Sequence, residues 1–71
     1  MKLNYDPVTD SLYIHLSDTV STDSNEVVDG VVLDFAADGS LVGIDVQHAS
    51  LKTDIQSLTL LHLPVHELRA A

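Results

Sequence analysis

The stretch VVLDFAADGSLVGIDV, residues 31–46, decides the fold. Large apolar side chains recur at alternate positions on both sides of Asp38-Gly39: Val31, Leu33 and Phe35 before it, Val42, Ile44 and Val46 after it. A period of two is that of a half-buried β-strand. Asp-Gly between two such runs predicts a hairpin with a two-residue type I′ turn, whose central residues both need positive φ. That turn sets Ala37 against Ser40, Phe35 against Val42, Leu33 against Ile44 and Val31 against Val46. The other face sets Asp34 against Gly43 and Val32 against Asp45, with Gly43 leaving space beside the carboxylate. A slip of one residue would turn the whole apolar set outward, so turn chemistry and face pattern agree on one register.

Working toward the N-terminus, Val27 and Val28 resume apolar character after a polar run, and Asp29-Gly30 interrupts it. Gly30 reads as a bulge or bend inside one strand over 26–35. The segment SDTVSTDSN, 17–25, is small and polar, which predicts a flexible loop. Before it, YDPVTDSLYIHL, 5–16, combines a turn with a second alternating run. Pro7 fixes φ, and Asp6 and Asp10 are placed as acceptors for local N–H groups. Leu12, Ile14 and Leu16 share one face while Tyr13 and His15 share the other. Pairing Tyr5 with Leu12 and Leu3 with Ile14 completes a first hairpin with Val8-Thr9 at its tip.

Toward the C-terminus the pattern weakens. Ala49 to Thr53 could begin a short helix, with Leu51, Ile55 and Leu58 at helical spacing, which predicts a short helical turn near 51–57 followed by an extended segment; one continuous helix is the alternative. Pro64 bars a helix from running on through LTLLHLP. Residues 51–71 form a leucine-rich segment suited to covering the sheet, or a partner's sheet. The expected fold is α+β and mainly antiparallel β: a four- or five-stranded meander-like sheet with a short C-terminal helical segment. At 71 residues the chain is read as a single small domain, 1–71.

So short a chain buries only about 60% of the surface that its extended form exposes. It has no cysteine, so neither disulfides nor thiolate sites supplement the core. An apolar fraction of 45% and a mean hydropathy of +0.18 exceed what one such chain readily hides. Association with a second chain is therefore expected, as a homo-oligomer with a dimer favoured. Eleven acidic residues against three basic ones give a net charge of −8. Lys2, Lys52 and Arg69 are too few and too scattered to neutralise phosphates, which argues against nucleic acid and an anionic membrane surface. A basic protein partner stays compatible with the acidity. No apolar run nears the roughly 20 residues of a membrane span. Met1 leads straight into alternation without a secretory segment, so a cytoplasmic protein is expected.

The sharpest candidate site lies on the second face of the sheet. His15, Asp34 and Asp45 project to the same side, and an imidazole beside two carboxylates suits a divalent metal or an acid–base pair. The simpler reading is a solvated face of mixed polarity, or a subunit contact to which Tyr13 adds apolar area. His62 and His66 stand four apart, but Pro64 between them disfavours the helix that a zinc site needs. No phosphate-binding loop, nucleophile elbow or calcium loop is present, so no catalytic residue and no cofactor is assigned. The expected function is a noncatalytic oligomeric or protein-binding module. The alternative is a small metal-dependent enzyme or metal-binding protein using His15, Asp34 and Asp45.

Several pieces resemble one small prokaryotic family, the domain of unknown function numbered 2283. They are Tyr5-Asp6, Asp10, Leu12-Tyr13-Ile14 and Leu16, then Gly30 to Asp34, Asp38-Gly39, Val42-Gly43-Ile44 and Ala49-Ser50. The resemblance covers roughly residues 1–53. It implies a small, mainly β domain and carries over no catalytic residues.

Overall fold

A computed structural model describes residues 1–62 of the chain. Five antiparallel strands form one sheet: β1 (Lys2–Asp6), β2 (Ser11–His15), β3 (Asp23–Val28), β4 (Val31–Phe35) and β5 (Leu41–Val46). A four-residue helix, α1 (Ala49–Lys52), follows. The spatial order is β1-β2-β5-β4-β3. The β3–β4–β5 meander thus receives the β1–β2 hairpin along its β5 edge. The architecture is mainly β with a small helix, as the alternation predicts.

The first hairpin has the predicted register, with Leu3 opposite Ile14 and Tyr5 opposite Leu12. Asp6 Oδ1 accepts the Val8 N–H at 2.9 Å, the local turn contact foreseen for it, and Val8 stands exposed at the tip.

The decisive hairpin is correct in its body and different at its turn. Val31 opposes Val46, Val32 opposes Asp45, Leu33 opposes Ile44 and Asp34 opposes Gly43. Phe35, however, faces Leu41 rather than Val42, and Ala36 N–H bonds Ser40 O at 2.9 Å, so Ala37 does not pair with Ser40. Gly39 N–H closes a β-turn on Ala36 O at 3.0 Å. Of the turn residues only Gly39 has positive φ, at 87°. This is the three-residue loop that places glycine in the left-handed region, not a type I′ turn. It shifts the register by one residue, and a bulge at Val42 shifts it back. The Val42 carbonyl then accepts N–H bonds from Leu16 at 2.8 Å and Ser17 at 3.2 Å, fastening the end of β2.

Asp29-Gly30 is a hairpin connection between two strands, with Val28 opposite Val31, rather than a bend within one strand over 26–35. Gly30 takes φ 79° there, and its carbonyl accepts Gln47 N–H at 2.7 Å. Asp23 to Asn25, expected in the loop, pair with Phe35 to Leu33 as the first half of edge strand β3. The connection from β2 to β3 is therefore confined to residues 16–22, and Thr22 N–H ends it on Phe35 O at 2.8 Å.

The helix begins at Ala49, where the sequence allows a short helix to start, and ends before most of the favoured turn near 51–57; residues 57–61 have no regular secondary structure. Residues 63–71, which include Pro64, His66 and the end of the leucine-rich segment, lie outside the described residues.

By register, Leu3, Tyr5, Leu12, Ile14, Leu16, Val31, Leu33, Phe35, Val42, Ile44 and Val46 line one face. Among the described residues the buried apolar side chains are only Ala36, Val42, Val46 and Ala49. The rest of this face is half-buried or exposed, Leu3 at 44%.

Candidate functional site

Two polar networks stand out, one on each side of the sheet. The first crosses the face opposite the apolar one. Tyr13 on β2 sits opposite Asp45, two residues along from the His15–Gly43 pair. Its ring lies over Gly43, and a Cβ there would run into the Tyr13 hydroxyl. The hydroxyl thereby reaches past β5 to β4 and donates to Asp34 Oδ2 at 2.8 Å. Asp34 Oδ1 accepts the Ser24 hydroxyl of β3 at 2.7 Å. One carboxylate thus ties side chains from both flanks, and the strap spans β2, β5, β4 and β3. The hydrogen bond to Asp34, followed by burial, raises the Tyr13 phenol above its ordinary value.

His15 stands edge-on to Tyr13, with ring centroids 4.9 Å apart at 76°. Its Nδ1 is 3.3 Å from the Ser17 carbonyl, which is a hydrogen bond in the tautomer with the proton on Nδ1. His15 and Asp34 flank Gly43 in one cross-strand row, two strand spacings or about 9–10 Å apart. Asp45 belongs to the adjacent row, between Tyr13 and Val32. The shared face predicted for His15, Asp34 and Asp45 is present, but Asp34 is engaged by Tyr13 and Ser24, with the Tyr13 ring crossing the row toward it. Among the described residues, no group of three or more His, Asp or Glu is arranged to hold a metal ion.

The second network was hidden in the sequence. Asp10, foreseen as a local turn acceptor, instead reaches a segment forty residues on. Its carboxylate accepts Ser50 N–H at 3.1 Å through Oδ1 and the Ser50 hydroxyl at 2.7 Å through Oδ2. Its backbone carbonyl accepts Ala49 N–H at 2.8 Å. His48, the N-cap of α1, makes no side-chain cap bond. Asp10 therefore supplies from the β1–β2 turn what an N-cap aspartate supplies locally, an acceptor for the second helical N–H. Tyr5 completes the group by donating to Asp10 Oδ1 at 2.7 Å.

The Ser50 hydroxyl, then the Tyr5 hydroxyl, hold the Asp10 carboxyl below its ordinary value. A carboxyl lowered in the native state contributes stability that is present above 3.8 and is lost as pH falls through the native value. Asp38, lowered by its bonds from Ser40, acts with the same sign. Tyr5 and Tyr13 are raised, so their contribution is present below pH 10.0 and is lost as pH rises through the native values. Urea unfolding of Asp10→Asn between about pH 5 and pH 2 is expected to show a shallower acid loss of stability than the wild type. The slope should not vanish, because Asp38 remains. An unchanged slope would remove Asp10 from this role.

What the geometry defines is a small antiparallel sheet with one polar, strapped face and one apolar face covered only in part. The chain matches the family described as Protein of unknown function (DUF2283) over residues 2–50 and belongs to it. No curated protein and no solved structure matches the chain. The family match ends at Ser50, so it takes in both networks, from Tyr5 to the Asp10 contact. No helix among the described residues is long and apolar enough to cross a membrane.

Proposed function

We propose that this protein is a noncatalytic assembly module, whose apolar sheet face is completed by a second protein chain. The observation that carries this reading is its surface. A folded monomer of 7.7 kDa exposes about 4,300 Å². This chain exposes 5672 Å². The surplus of about 1,300 Å² exceeds the roughly 800 Å² that each partner contributes to a standard interface. The radius of gyration agrees: it is 13.0 Å, against about 11 Å for a compact chain of this length.

The polar networks support a structural rather than a chemical role. Asp34 and Asp10 have their oxygens taken up by Tyr13, Ser24, Tyr5 and Ser50, which ties elements together. Light scattering on untagged protein at micromolar concentration is expected to give at least twice 7.7 kDa. A monodisperse monomer there would overturn the reading.

A further inference from the structure

The surplus surface does not by itself say which chain covers it. Three observations on this molecule do. First, an open cleft of about 230 Å³ lies on the apolar face, between Leu3, Tyr5 and Leu12 on one side and Asp54, Ile55 and Leu58 on the other. Second, the adjoining residues 57–61 carry leucines that their own chain leaves outside: Leu58 is 66% exposed and Leu61 72%. These residues make no helix or strand, so their backbone is not committed to the sheet. Each chain thus carries both an apolar cleft and an apolar key that its own cleft does not fully take up. Third, the charges on the four strands nearest the cleft, Lys2, Asp6, Asp34 and Asp45, all fall on the opposite face by register. Two chains of charge −8 can meet on the apolar face with the strand carboxylates turned away, which leaves Asp54 as the carboxylate that lines the cleft. A strongly basic partner finds one carboxylate, Asp54, along the cleft and none on those strands.

We propose that the occupant is a second copy of this chain, docked about a two-fold axis so that residues 57–61 of each copy fill the cleft of the other. An exchange in which every chain gives and receives the same contact closes on itself and stops at the dimer. This inference rests on the assembly reading above and adds the partner and the seam.

The test is light scattering across a dilution series with the full chain carrying Leu58→Asp and Leu61→Asp. Val28→Asp serves as a control, because Val28 is equally apolar and 60% exposed but lies on the β3 edge away from the cleft. The double variant is expected to weaken the dimer about 100-fold or more, the loss of two leucine burials per seam half, while the control stays dimeric. A wild-type dimer that persists in the double variant, or one that dissociates equally in the control, overturns this seam and leaves the assembly reading standing. A monomeric wild type overturns both. Circular dichroism reports whether the double variant keeps its sheet. If it does not, Leu61→Asp alone decides, since that side chain is too exposed to carry the fold: a dimer unchanged in affinity overturns the seam.

Discussion

Val42→Ala is expected to destabilise the protein by roughly 2–3 kcal/mol, from the two buried methyl groups lost and the cavity left behind. Val42 is 2% exposed and is the largest fully buried side chain among the described residues. A domain of this size holds only about 4–10 kcal/mol in total, so the loss is a large share of it. The site cannot collapse easily, because the Val42 carbonyl is fixed by two N–H groups from the end of β2. Urea titration at one fixed protein concentration checks the value, since association adds to apparent stability. A change below about 0.5 kcal/mol, the range of ordinary surface substitutions, would mean that the core is centred elsewhere.

Gly43→Val is expected to cost about 1–3 kcal/mol by overpacking, although valine suits a strand better than glycine. The new Cβ would occupy the position of the Tyr13 hydroxyl, so the ring must leave and its bond to Asp34 is lost. The diagnostic measurement is a double-mutant cycle with Tyr13→Ala. With the ring gone most of the clash is gone, and Gly43→Val should become much less costly; the Ile14 carbonyl, 3.1 Å from the Cβ position, leaves a small residue. Coupling of about 0.5–3 kcal/mol is the size expected for groups in direct contact. Additive costs would show that Gly43 serves the backbone and not the tyrosine.

Both positions show how far the sequence could be read. The pairing of Leu33 with Ile44 followed from alternation because a half-buried face constrains every second residue. The turn was misread for a local reason: Asp38-Gly39 suits two hairpin loops that differ by one residue, and the bulge at Val42 compensates the difference further along. The first half of edge strand β3 escaped notice because Asp23 to Asn25 are polar on both faces, as an exposed edge tolerates. The cap of α1 was invisible in its own neighbourhood, since the capping group is Asp10, forty residues earlier. Gly43 announced space beside Asp34, yet nothing in the spacing said that Tyr13 would fill it. His15, Asp34 and Asp45 were rightly placed on one face, but alternation reports the side of a sheet and not the distance across it.

The position of β2 beside β5 also sets an order of events during synthesis. The β1–β2 hairpin is complete at His15, but its neighbour strand ends only at Val46. At about 5–20 residues per second, the ribosome takes roughly 2–6 s to make the intervening chain. An isolated two-stranded hairpin is marginal in water, so Leu12, Ile14 and Leu16 wait uncovered through that interval. The acidic and proline-containing turn at Asp6-Pro7 and the polar stretch that follows Leu16 then act as gatekeepers, keeping a nascent apolar strand from pairing with the wrong chain before its own partner has emerged.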